Sequence, residues 1–151
     1  MTRNPLKSIA IFFGTSFLLH LLWENLQAPL YAGYESFGQH FPICLKATMT
    51  GDMLFMLVIY IVLAVVHGDL FWVANPAVYA HPTTWIIAGL IGILLATIFE
   101  LWAVHVDHRW VYAGMPLIPF LHIGLTPILQ MAIIPPLALL LTKNFSHRKQ
   151  P

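Results

Sequence analysis

Four stretches of the chain approach the length of about 20 apolar residues that a helix needs to cross a bilayer. They run from about Ser8 to Trp23, Ala47 to Val66, Thr84 to Val104 and Leu117 to Thr142. The runs are continuously apolar rather than alternating, and they are too long for the strands of a membrane barrel. The pattern predicts an all-α membrane protein, a single four-helix transmembrane bundle over residues 1–151.

The segments between the spans add orientation. Four crossings put both termini on one side, which carries Arg3, Lys7, Lys143, Arg148 and Lys149, against Lys46 and Arg109 on the other. Lys and Arg stay on the cytoplasmic side, so both termini are expected there. Arg3 and Lys7 ahead of an apolar core also fit a signal peptide. The following Glu24-Asn25-Leu26-Gln27-Ala28-Pro29 is a poor cleavage site, so the first span is expected to be retained. The outward segment Asn25–Leu45 holds Tyr31, Tyr34, Phe37 and Phe41 among glycines and prolines, and reads as an interfacial anchor or a lid. The loop Asp69–Pro82, with Phe71, Trp72 and Tyr79, reads as interfacial too.

Composition agrees with this layout. Charged residues make up 9% of the chain and hydrophobic ones 59%, with a mean hydropathy of +0.78. A soluble domain carries about a quarter charged residues. Net charge is +1, which supplies no basic field for nucleic acid. The expected location is therefore an integral, multi-pass one in a plasma or inner membrane, with the lipid bilayer as its first partner. Cys44 is the single cysteine, which excludes an intrachain disulfide, a CxxC redox pair and a cysteine-rich metal site.

The few polar residues are concentrated. Of six acidic residues, Glu24, Asp52 and Glu100 lie in or at the ends of spans, each in the outward half. Residues four apart share a helix face. Ser16, His20 and Glu24 form such a stripe on the first helix, with Asn25 and Gln27 beyond. Thr48, Asp52, Met56 and Tyr60 align on the second, and Ala88, Gly92, Ala96 and Glu100 on the third. The fourth aligns His122, Thr126 and Gln130, with Pro127 expected to kink it. Small residues four apart allow close helix packing in lipid, which places Glu100 on the packed face.

Three carboxyls at one depth repel one another, and no Lys or Arg lies within the spans to balance them. Protonation, pairing with His20 or His122, or a bound cation each relieves that cost. Each is also a mechanism. A carboxyl kept protonated is a general acid, and carboxylates with imidazoles bind a divalent metal. The candidate catalytic pair is Glu100 and Asp52. The candidate metal ligands are His20, Glu24 and His122 together with Asp52 and Glu100, and Gln130, Arg109, Asn25 and Gln27 are candidate binding residues. A haem would need two axial histidines across the bundle, with His20 and His122 at suitable depth. His105 and His108 form an HxxH that reads as a polar helix end. Bland readings exist for each: Asp52 as an N-cap after Thr50-Gly51, His122 as a core imidazole, Arg109 as an interfacial anchor. Glu100 lies furthest from any loop, and an ionisable residue there is a functional hypothesis by default.

Four spans with Asp, Glu and His in one leaflet resemble the emopamil-binding-protein superfamily of sterol isomerases and related sterol-binding proteins. The resemblance is one of layout and assigns no residue a role. Three functions stay open. The first is an enzyme or binding protein for a lipophilic small molecule, using acid–base chemistry or a divalent metal. The second is a non-catalytic accessory subunit pairing with a membrane-protein partner or a second copy. The third is a b-type haem protein.

Overall fold

The computed structural model describes residues 4–146; Arg3, Arg148 and Lys149 of the charge argument lie outside them. Helix α1 spans Pro5–Gln27, α2 Phe37–Ala47, α3 Met53–His67 and α4 Pro82–His105. A short antiparallel pair, β1 (Leu117–Ile118) and β2 (Ile123–Gly124), precedes α5, Leu125–Ser146. A π-helical turn, Thr48–Asp52, joins α2 to α3, so the second crossing is one continuous helical rod from Phe37 to His67. Among the described residues four helical segments are long and apolar enough to span a membrane: Pro5–Leu30, Phe37–His67, Pro82–His105 and Leu125–Phe145. The chain is a multi-pass membrane protein built as a four-helix bundle.

Local chemistry sets the helix ends. Asn4 accepts hydrogen bonds from the amides of Leu6 and Lys7, and Pro5 occupies the first turn, where its missing N–H costs nothing. Gly68 ends α3 at φ +63, a left-handed conformation that glycine adopts without strain. Pro82 opens α4 in the same manner as Pro5 opens α1.

Two predicted boundaries are corrected. The fourth span begins at Leu125, because residues 117–124 form the hairpin instead of the helix start. Pro116 and Pro119 push the residues before them out of the helical region, which breaks the run. Pro127 consequently sits in the first turn of α5 and makes no kink there. The outward segment Asn25–Leu45 is a loop only near its middle; its second half is α2. Within the loop Asp69–Pro82, Trp72 and Tyr79 turn inward as a plug while Leu70 and Phe71 stay exposed. Trp72 is wholly buried and donates to the carbonyl of Tyr60, while Tyr79 is buried and donates to that of Val73. Together with Phe12, Tyr60 and Leu63 they close the bundle end nearer the termini with an aromatic core.

The tightest helix contact is between α4 and α5. The buried face of α4 is Thr84, Ala88, Gly92, Ala96, Glu100 and Ala103, the small-residue stripe of the sequence extended at both ends. On α5, Pro135 and Pro136 have no N–H to give to the carbonyls of Met131 and Ala132, four residues earlier. Those two carbonyls face α4. A Cβ placed on Gly92 would lie 2.1 Å from Met131 O, and one on Gly89 would lie 3.6 Å from Ala132 O. Prolines on one helix thus free carbonyls where glycines on the other let them approach. Buried Ser8, Phe12, Ser16 and His20, four apart, form the inward face of α1, which also packs extensively on α5.

Gly92→Ala is expected to destabilise the bundle by about 1–3 kcal/mol, because neither backbone can yield. Gly14→Ala, with nothing within 4 Å of the added carbon, should be close to neutral. Denaturant titration of both purified variants checks the contrast.

Candidate functional site

The half of the bundle away from the termini encloses a cavity of about 400 Å³, within the range of small-molecule sites. Glu24 and Gln27 of α1 line it, with Cys44 and Ala47 of α2, Gly51 and Asp52 of the π turn, and Phe55 of α3. Ala96, Phe99 and Glu100 of α4 and Gln130 and Met131 of α5 complete the walls. The three carboxyls singled out in the sequence therefore meet in one space.

The backbone places each of them for a local reason. Asp52 is not an N-cap: its φ and ψ are helical and its side chain bonds no helix-end amide. The wider π turn shifts the helix face by one residue, and such turns recur at functional sites. Glu100 is carried inward by the small-residue stripe of α4. Glu24 lies one turn beyond wholly buried His20.

Each carboxyl is held through one oxygen by a neutral donor. Gln27 Nε2 donates to Glu24 Oε1 at 2.8 Å and to Gln130 Oε1 at 3.2 Å. Gln130 Nε2 in turn donates to Asp52 Oδ2 at 3.3 Å and contacts His20 Nδ1 at 2.9 Å. Two glutamine amides, on α1 and α5, thus connect Glu24 to the buried His20–Asp52 pair, whose Nδ1 and Oδ2 are 3.6 Å apart. With Gln130 Nε2 donating to it, His20 Nδ1 is the unprotonated ring nitrogen. His20 Nε2 is buried without a hydrogen-bond partner. Thr126 donates to Gln27 Oε1 at 2.9 Å, which fixes the amide orientation.

Glu100 is held from a different direction. The Tyr112 hydroxyl donates to Glu100 Oε2 and accepts from the amide of Gly124 at 2.8 Å. Tyr112 reaches the site because residues 30–32 and 111–114 pair as extended chain above the cavity. Ala32 N donates to Val111 O at 2.8 Å and Ala113 N to Leu30 O at 2.9 Å. This roof also brings in Tyr31 and Trp110, whose rings meet edge to face. The Trp110 indole nitrogen is buried beside Glu100 and Tyr112. Gly124 is closely packed: a Cβ there would meet side-chain atoms of Met115, Pro127 and Tyr112 at 3.2 Å each. Burial, and then the hydrogen bond and charge of Glu100, push the Tyr112 phenol above its usual range. Burial followed by the charges of Glu100 and Glu24 does the same at Tyr31.

The other predicted residues divide. Gln27 and Gln130 are central to the network. Arg109 lines the mouth, ion-paired with Asp107 and stacked on Trp102 at 4.5 Å. Asn25 does not join: its short amide folds back onto the carbonyl of Leu21. His122 does not join either. It sits exposed in the hairpin turn at φ +55, because the helix that was to carry it inward starts three residues later. That removes it from the expected metal set and from the expected axial pair with His20. Among the described residues no three of His, Cys, Asp and Glu converge as metal ligands. His105 and His108 are exposed at the end of α4, where His105 contacts the carbonyl of Leu121. Tyr112 and Tyr31 were missed as site residues. The signal was available in Trp110-Val111-Tyr112, whose two-residue spacing puts both rings on one side of an extended segment.

Compared with models of protein families, with curated proteins and with solved structures, the chain matches none. The resemblance in layout to the emopamil-binding-protein superfamily thus rests on span count and polar placement alone.

Tyr112→Phe leaves Glu100 Oε2 and the Gly124 amide without their partner, a loss of about 1–3 kcal/mol for buried groups. The phenol is raised in the folded state, so its contribution is complete below about pH 10 and is lost as pH rises further. Alkaline unfolding of the wild type should accordingly be steeper than that of Tyr112→Phe.

Proposed function

We propose that the cavity is an intramembrane acid–base site for a lipophilic small molecule, with Glu100 as the acid and Asp52 as the base. The observation that carries this reading is the division of the carboxyls between two separate hydrogen-bond systems across one largely apolar cavity. Asp52 is backed by Gln130, which donates to it and to His20, so its position is fixed by a neutral amide. Glu100 is backed by Tyr112 through Oε2, which leaves a proton on Oε1 free to be given. Once Glu100 has lost that proton, the Tyr112 bond becomes charge-assisted and stronger, favouring the conjugate base. The reaction class is proton delivery at one atom of the substrate and proton removal at another. Glu24, held by Gln27, contributes a third carboxyl and sets the charge of the pocket.

The accessory-subunit reading requires this polar cluster to bond a partner's helices. Its donors are instead spent on each other inside the chain, which favours an internal ligand. A divalent ion would have to be held by Glu24, Asp52 and Glu100 without His122, and metal analysis of the pure protein bears on that version. The lysine and arginine bias supports a reading with both termini in the cytoplasm and the cavity in the outer leaflet of a plasma or inner membrane.

Purified wild-type protein is expected to carry a stoichiometric lipophilic compound, read by mass spectrometry, and Glu100→Gln and Asp52→Asn to bind it without turning it over. Infrared difference spectra should contain a protonated carboxyl band that Glu100→Gln removes. A wild type lacking that band at every pH where it is folded sinks the acid–base assignment. A reporter fused at Arg109 that reads cytoplasmic would invert the orientation.

A further inference from the structure

The cavity is roofed toward the water but not sealed toward the lipid. Above it, the pairing of residues 30–32 with 111–114 and the rings of Tyr31, Trp110 and Tyr112 close the end of the bundle. Below it, the plug built around Trp72 and Tyr79 closes the other end. At the side, the second crossing divides its packing: α3 packs on α4, whereas α2 packs on α1 and makes no extensive contact with α4. The π turn is where the rod changes partner. The cavity lining includes residues that are exposed on this side, Ile43 at 60% and Thr50, as well as Arg109 at the mouth.

The oxygens facing this space say what enters. Gln27 holds Glu24 through Oε1, Gln130 holds Asp52 through Oδ2, and Tyr112 holds Glu100 through Oε2. Each of these bonds uses one oxygen of its carboxyl, and all three side chains line the cavity. The cavity wall therefore offers carboxyl oxygens of Glu24 and Asp52 as acceptors, and the one lysine or arginine that lines it among the described residues, Arg109, is paired with Asp107 at the rim.

From these observations we infer that the cavity is loaded sideways from the bilayer, through the opening between α2 and α4. The entrant is an amphiphile whose head donates hydrogen bonds, a hydroxyl or an amine on an apolar body. The head lies against the carboxyl oxygens of Glu24 and Asp52, and the body trails past Phe55 and Phe99 toward the lipid. This inference rests on the cavity being a binding site for a lipophilic molecule, as proposed above. It adds the route and the chemistry of the head.

Cys44 provides the test, because it is the chain's single cysteine, is buried, and lines the cavity on the α2 side of the opening. In vesicles, full-length protein is treated with a lipid-soluble N-alkyl maleimide or with a charged, water-soluble one. The lipid-soluble reagent is expected to label Cys44 and the charged one to leave it unmodified. Ala47→Trp, which narrows the opening without touching a carboxyl, should slow the lipid-soluble reagent. Dodecanol and dodecylamine, at about ten times their dissociation constants, should slow labelling about tenfold. Dodecane and dodecanoate at equal membrane content should not. Glu24→Leu and Asp52→Leu should each weaken that protection while the charged reagent still leaves Cys44 unmodified, which shows that the variants are folded. Faster labelling by the charged reagent overturns the lateral route even if dodecanol protects. Equal protection by dodecane overturns the donor-bearing head. Protection by none of the four removes the binding reading on which the inference rests.

Discussion

The crossing of α4 over α5 at Gly92 and Met131 is the contact on which the rest of the structure depends. Pro135 and Pro136 strip two carbonyls of their helical donors, and in a bilayer such groups must find compensation within the protein. Gly92 and Gly89 let the second helix close on them, where Cα–H groups can supply weak hydrogen bonds. With that spacing fixed, the same two helices carry Glu100 and Gln130 outward from the crossing to the cavity wall. Glu100 follows Gly92 by eight residues on α4, and Gln130 directly precedes Met131 on α5. A looser crossing would separate the Tyr112–Glu100 system from the Gln130–Asp52 system, and with it the division of labour between the two carboxyls.

The second constraint is electrostatic. Among the described residues, the cations nearest the cluster, Lys46 and Arg109, lie at its margins, and Arg109 is occupied by Asp107. The carboxyls are met by neutral donors instead: two glutamine amides and a phenol. A fixed cation would hold each carboxylate permanently ionised. Neutral donors fix position while leaving the protonation state free to change, which is what a site for moving protons requires. Buried polar networks of this kind also fix a single arrangement of helices, because every donor has a specified acceptor. Nε2 of His20 stands outside that rule, buried without a partner.

Much of this was legible in the chain. Residues 88, 92, 96 and 100 read as a packed stripe because small side chains at helical spacing have one physical use in lipid, and the structure buries all four. His20, Glu24, Asp52 and Gln130 were legible as polar residues too deep to be incidental. Tyr112, Trp110 and the fate of His122 were not. They depend on residues 106–124, where apolar composition resembles a span and the prolines at 116 and 119 decide otherwise. Hydropathy counts side chains and does not register a missing N–H. The same blindness turned the Trp72 and Tyr79 segment into an interfacial strip, because aromatic residues at a bundle end favour the headgroup region and a sealed plug alike.

What the sequence determined by itself was the solvent and the inventory: four crossings, a lipid environment, and three carboxyls in one half of the bundle without a cation beside them. Those follow from transfer energies, which are properties of residues and their spacing along a helix. What only the tertiary structure decided was who meets whom. The π turn that aims Asp52, the roof that lowers Tyr112 onto Glu100, and the amide pair joining α1 to α5 are contacts between residues 12 to 103 positions apart. No periodicity encodes them, because each depends on the angle and distance at which separately stable helices come to rest.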